Sequence, residues 1–86
     1  MIKVIGDEIP APTSTGTGTS VGNATMVRCF NSGGTDRLIT IQLADNTAIG
    51  TFTLKTKEVE YVDKDITHEI FAAHADILIS SVVVMG

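Results

Sequence analysis

The sequence predicts an all-β fold, namely a small antiparallel β-sandwich or barrel of about six to seven strands with an extended N-terminal arm. From residue 23 onward, short segments alternate apolar and polar side chains with a period of two, as strands with one buried face do. Clusters of Gly, Asn, Asp and Ser separate these segments at regular intervals and predict turns. The 86 residues suffice for one domain. We divide it into an N-terminal strand and flexible arm (1–22) and a β-sandwich domain (23–86).

The N-terminal arm begins with a short strand over residues 2–5, which ends at Gly6. Pro10 and Pro12 favour an extended path and exclude regular ladder pairing in this region. Residues 13–20 are Thr, Ser and Gly, a composition typical of a flexible connector. Such an arm either orders against a neighbouring molecule or acts as a plain tether for the first strand. For the first case, the predicted partner contacts are Ile9, Pro10, Pro12 and Val21.

The body of the chain is predicted to begin as a meander of hairpins. Its strands are residues 25–30, 38–43, 49–54 and 58–62. In the second of them Ile39 and Ile41 are expected to point inward, while Thr40 and Gln42 point to solvent. Gly50 interrupts the third strand, as at a bulge or a close approach of another backbone segment.

Two segments complete the body. Residues 66–73 are ambiguous between a single helical turn capped by Thr67 and an irregular crossing. Residues 77–84 are apolar on both faces, which predicts a central strand that pairs with distant parts of the chain.

Side chains that could carry chemistry are few and poorly spaced. His68 and His74 are six residues apart, which on a helix separates them by about 120° and on a strand by roughly 20 Å. A solvated loop is therefore the favoured interpretation of this stretch. Cys29 lies mid-strand among apolar neighbours and is predicted to be a buried structural thiol. We predict no catalytic, metal or cofactor-binding site and do not expect an enzyme.

Charge and cysteine content limit the possible partners. The formal net charge is −4 and the six Lys and Arg residues are scattered, so neither nucleic acid nor an anionic membrane is expected as a partner. The first residues lack the features of a signal peptide, which predicts synthesis in a cytoplasm. One cysteine cannot form an intrachain disulfide, and a chain this short has a modest core. Self-association or docking on another protein is therefore the expected reinforcement.

Several segments resemble a known class of proteins. They are Met1–Gly6, the Pro-Thr-Ser-Gly connector, and residues 25–31, 49–54, 60–65 and 70–73. In these segments the chain resembles small virion structural proteins of tailed bacteriophages, particularly those of marine cyanobacteria (cyanophages). The resemblance implies a β-sandwich virion component on the capsid surface, first of all a head decoration (cement) protein, and it assigns no functional residues.

The same resemblance implies partners and alternatives. The implied partners are the major capsid protein or other virion proteins, with a homo-oligomer, such as a trimer, also allowed. A neck, tail or fibre component and a host-receptor or glycan-binding module are the alternative functions. The absence of Trp and the single Tyr weaken the glycan-binding alternative, because sugar sites usually rely on aromatic stacking.

Overall fold

The computed structural model describes residues 2–84 and consists of two antiparallel sheets. Met1 of the predicted arm, and Met85 and Gly86 of the predicted domain, lie outside the described residues. The eight strands are β1 (Ile2–Val4), β2 (Ile9–Pro10), β3 (Met26–Asn31), β4 (Arg37–Gln42), β5 (Ala48–Leu54), β6 (Val59–Asp63), β7 (Glu69–Ala72) and β8 (Ile77–Val84). A single 3₁₀ turn spans Thr15–Thr17. The predicted fold class is confirmed, with one strand more than the sequence indicated.

The five-stranded sheet has β8 at its centre, as the apolar character of residues 77–84 predicted. Its strand order is β1-β8-β3-β6, and β2 pairs with β8 as well. The extra strand is β2, where Ile9 pairs with Ile79 and Pro10 with Leu78. The expectation that the prolines exclude ladder pairing is wrong at Pro10, because a short edge strand tolerates a residue without an N–H donor.

The three-stranded sheet has the order β5-β4-β7. Among the strands of residues 2–84, only β4 and β5 form a hairpin between consecutive strands, so the predicted meander over residues 25–62 is wrong. The chain instead crosses from one sheet to the other between β3 and β4 and again between β5 and β6. The pairing of β4 with β5 shifts between Ile41 and Gln42, which leaves Ile49 of β5 as an extra residue in a bulge. This agrees with the predicted irregularity beside Gly50.

The core lies between the inner faces of the two sheets. Val27 and Cys29 of β3 and Ile79 of β8 meet Ile39 of β4 and Ile70 of β7, and none of these five side chains is exposed. Their alternation with exposed or half-buried neighbours is the period of two that the sequence showed. Burial of these apolar side chains is the main favourable term that holds the sheets together.

The N-terminal arm is packed against both sheets and contributes to the same core. The N–H of Ala11 donates to the carbonyl of Ile77 in the five-stranded sheet, and the carbonyl of Pro12 accepts from Ala72 in the three-stranded sheet. Thr19 then exchanges two backbone hydrogen bonds with Ile70. This differs from the expected flexible connector, because strand edges of both sheets supply partners for its backbone groups.

Candidate functional site

The outer face of the five-stranded sheet is mostly apolar. Directly paired residues of an antiparallel ladder project to the same side. The pairs Pro10–Leu78, Leu78–Phe30 and Phe30–Val59 therefore form one row that crosses four strands. This row lies on the side opposite the buried Cys29, so it faces away from the core. An outward sheet face in a free-standing protein is usually polar, which makes this row unusual.

Further apolar side chains extend this surface. In the next row Arg28 pairs with Tyr61 and Ser80, and in the row beyond it Val4 pairs with Val82; of these, Ser80 and Val82 on β8 are buried. The exposed fractions are 38% for Val59, 41% for Tyr61 and 57% for Val4. We call this surface the apolar face and define it by the outward residues Val4, Pro10, Arg28, Phe30, Val59, Tyr61 and Leu78.

Arg28 is the only charged residue in that definition, and its charge is compensated locally. Its Nη1 donates to Oε2 of Glu8 over 2.9 Å, and its guanidinium lies 5.7 Å from the centre of the Phe30 ring. The ring stacks against the cation while the carboxylate neutralises it. Arg28 therefore adds no net charge to the apolar face, and the further charge on this side of the sheet is Asp63, which pairs with Met26 at the end of β6.

The outer face of the three-stranded sheet has a different chemistry. Thr51 and Thr53 cover its β5 side, and residues 12–19 lie along β7. Thr40 and Gln42 were expected to face solvent, but their exposed fractions are 8% and 0%, so that expectation is wrong. For Gln42 the reason is that Thr15 and Gly18 of the arm lie against its side chain, and sequence periodicity cannot reveal cover from a distant segment.

Gln42 is held by a set of hydrogen bonds. Its Nε2 donates to the carbonyl of Thr15 over 2.8 Å and to Oε1 of Glu69 over 3.1 Å. The hydroxyl of Thr15 donates to its Oε1 over 2.6 Å. Gly18 passes so close that a Cβ there would stand 2.5 Å from Gln42 Nε2. This amide fixes the arm to the sheet, and it is a residue that the sequence reasoning missed.

Asn31 is a second buried amide that the sequence reasoning missed, since it follows the predicted strand over residues 25–30. Its Nδ2 donates to the carbonyls of Thr35 and Leu54, and its Oδ1 accepts from the N–H of Gly33. It has no exposed surface. The only available sequence signal was its place directly after an alternating strand, where the next inward position falls.

A groove of about 450 Å³ opens between β5 and the end of β6. Ile41, Ile49 and Gly50 form its apolar wall, and Asp63, Lys64, Asp65 and His68 form its polar wall. Lys64 is 8% exposed, and burial lowers its pKa, an effect that the nearby Asp65 carboxylate partly offsets. Its ammonium group donates to the carbonyl of Asp65 over 3.2 Å.

The two histidines lie at opposite ends of β7 and do not come together. Nε2 of His68 is 3.5 Å from Oδ2 of Asp65. Nδ1 of His74 accepts a hydrogen bond from the N–H of Asp76 over 3.0 Å, so the neutral ring carries its proton on Nε2. Among residues 2–84, no group of three or more His, Cys, Asp or Glu side chains is placed to hold a metal ion.

Cys29 has no exposed surface in the middle of β3. Burial, helped by the negative charge of Glu60, raises the pKa of its thiol to about 12, while Arg28 acts in the opposite direction. A thiol with this pKa is protonated at neutral pH and is a poor nucleophile.

The four predicted partner contacts have different environments. Ile9 is 41% exposed, Pro10 is exposed and Pro12 is half-buried. Val21 is only 8% exposed and belongs to the core of the single chain. It starts a left-handed turn with φ of 54°, in which the N–H of Ala24 bonds the carbonyl of Ser20. Of the four, Pro10 lies on the apolar face.

Comparisons of the chain with protein-family models, with curated proteins and with solved structures found no match. In the described part of the chain, no helix has the length and apolarity needed to cross a bilayer. The apolar face is therefore the strongest candidate functional feature on the basis of its geometry.

Proposed function

We propose that the chain is a virion structural protein of a tailed bacteriophage, and that it decorates and stabilises the capsid by docking through the apolar face. In this proposal the chain is made in the host cytoplasm and binds the capsid surface, where the major capsid protein is its partner. The observation that carries the proposal is the row of Pro10, Leu78, Phe30 and Val59 on an outward sheet face. The phage context rests on the sequence resemblance.

The size of the molecule suits such a contact. Its extents are 32 × 31 × 19 Å, which limits the area that one broad side can offer to roughly 1,000 Å². A specific interface needs about 800 Å² from each partner. Tyr61 and Arg28 on this face are residue types that often dominate binding energy at interfaces.

The stabilising mechanism follows from burial. Each apolar side chain that leaves water on docking contributes about 25 cal/mol per Å² of buried surface. A protein that binds the assembled shell and not separated subunits shifts the equilibrium toward the assembled state. Many copies bound across subunit junctions would then oppose expansion of the shell.

The test is a pair of lysine substitutions on the two outer faces. Val59→Lys places a charge on the apolar face, while Leu38→Lys does the same on the other sheet, where Leu38 is 46% exposed. We expect Val59→Lys to weaken binding to heads that lack the protein by at least about tenfold, and Leu38→Lys to leave it unchanged. Both variants should unfold at temperatures close to that of the wild type.

Two further measurements on virions complete this test. Quantitative mass spectrometry should find hundreds of copies per particle, since a dozen or fewer would indicate a neck or tail component instead. Virions that lack the protein should lose resistance to heat and osmotic shock. Unchanged resistance, or full binding by Val59→Lys, would contradict the proposal.

A further inference from the structure

We propose that two copies of the chain associate through the free edges of their β5 strands, antiparallel about a twofold axis at Thr51. The contact would join two three-stranded sheets into one six-stranded sheet. This inference concerns a surface other than the apolar face, and it does not depend on the proposed virion function.

The first observation is that β5 has an open edge. It is hydrogen-bonded to β4 on one side only, and most of its side chains are exposed. Its seven residues include neither a charged residue nor a proline. An edge of this kind presents unpaired N–H and C=O groups in a row and is a template for another strand.

The other strand edges in the described chain are protected in recognisable ways. Lys3 lies in β1, Pro10 lies in β2, and Glu60 and Asp63 lie in β6. The outer edge of β7 is occupied by the arm, which pairs there through Thr19. Charges, prolines and covering segments are the usual means by which proteins prevent edge-to-edge association. Within residues 2–84, β5 is the long edge that has no charge, proline or covering segment, and its one irregularity is the bulge at Ile49 near the start of the strand.

The second observation is the charge distribution at the ends of β5, which favours a second copy of the chain as the occupant. Asp45 lies in the turn before the strand, and Lys55 and Lys57 follow it. Antiparallel pairing puts the start of one β5 beside the end of the other. Asp45 of each copy then lies near the two lysines of the second copy, whereas parallel pairing would bring like charges together. Lys57 also donates to the carbonyl of Ser32, which leaves two further ammonium protons for this contact.

The third observation sets the register. A Cβ added at Gly50 would meet no atom within 4 Å, so the inner side of β5 has open space at this position. With Thr51 on the twofold axis, Phe52 of the second copy lies directly opposite Gly50. An aromatic ring opposite a glycine covers its exposed backbone, and Phe52 is half-buried in the single chain. The bulge at Ile49 lies at one end of this contact and leaves residues 50–52 regular.

Cysteine cross-linking tests the contact and its register. In the proposed dimer the two Thr51 residues face each other, so Thr51→Cys should form a disulfide-linked dimer under mild oxidation. Thr53→Cys is the matched control on the same strand and face. Its two copies would be about 13 Å apart, too far for a disulfide. The wild type is the blank, since its one thiol, Cys29, is buried.

We expect Thr51→Cys to cross-link at least about tenfold faster than Thr53→Cys. Equal rates for the two variants would overturn the register, as would faster cross-linking in a mixture of the two than in either variant alone.

Sedimentation equilibrium tests the association without any engineered thiol. The wild type should be a dimer at a concentration between micromolar and millimolar. Thr51→Lys, which sets two ammonium groups against each other at the axis, should raise the dissociation constant by at least about tenfold. Thr67→Lys, in an exposed loop, should not change it. A wild type that stays monomeric throughout, or a Thr51→Lys variant that dimerises equally well, would overturn the inference. Both experiments use the isolated chain, so their outcome is independent of any particle-binding result.

Discussion

At the scale of single residues, Cys29 shows how a strand environment controls a reactive group. Its place among apolar neighbours in an alternating segment predicted a buried thiol, and the structure confirms a side chain with no exposed surface. The same burial raises its pKa to about 12, from a usual value of 9.0. Because the unfolded chain has no such environment, the thiol loses its proton at lower pH there than in the folded protein.

This difference predicts a loss of stability in alkaline solution. Between about pH 9 and pH 12 the folded state binds more protons than the unfolded state, so the free energy of unfolding falls as pH rises. The slope from this group is at most about 1.4 kcal/mol per pH unit. Cys29→Val removes the thiol at similar volume. Raising the pH should therefore lower the free energy of unfolding of the wild type more than that of the variant. Urea unfolding at pH 7 and pH 10.5 measures it, and equal pH dependence in the two proteins would contradict the assignment.

At the scale of secondary structure, the positions of strands were more predictable than their environment. Alternation located β4 and its two faces correctly, but the expected exposure failed at Gln42, whose outer position is covered by the arm. A local period of two reports which residues share a face, not whether that face meets water. The sequence did not predict which strands pair either, since the turns after β3 and β5 carry no signal that the chain changes sheets there.

The hydrogen bonds of Gln42 predict a strong effect of one small substitution. Gln42→Glu has nearly the same shape but loses both amide donors, and it places a second carboxylate about 3.1 Å from Glu69 Oε1. We expect the free energy of unfolding at pH 7 to fall by roughly 2–4 kcal/mol. Chemical denaturation of the variant measures this loss.

The control for this prediction is the partner carboxylate. Combining Gln42→Glu with Glu69→Gln removes the like-charge contact and restores an amide beside the new carboxylate. The double variant should therefore recover a large part of the loss, as a positive coupling in a double-mutant cycle. Simple additivity of the two single effects would show that Gln42 and Glu69 do not interact.

At the scale of the whole molecule, the N-terminal arm connects the two sheets through backbone hydrogen bonds to each of them. The apolar composition of residues 77–84 correctly predicted the central strand, which has hydrogen-bonded neighbours along both of its edges. The path of residues 9–21 was not predictable in the same way. Their Thr, Ser and Gly content is typical of a linker, and what orders them is backbone pairing, which is independent of side-chain type.

The packed arm predicts that a substitution at Ala11 destabilises the entire fold. Ala11 is 3% exposed, and the bonds of Ala11 and its neighbour Pro12 reach different sheets, so Ala11→Gln must push a polar chain between them. We expect a loss of about 2–4 kcal/mol in one cooperative transition, because the arm and both sheets form one core. Ala75→Gln, at an exposed site, should change stability by less than about 0.5 kcal/mol.

Amide exchange gives a second measurement of the same packing. The N–H of Ala72, which donates to the carbonyl of Pro12, should exchange as slowly as the N–H groups of the core strands. If Ala11→Gln were as stable as Ala75→Gln and Ala72 exchanged rapidly, the arm would be the mobile tether that its composition suggests, and the sandwich would have to be stable without it.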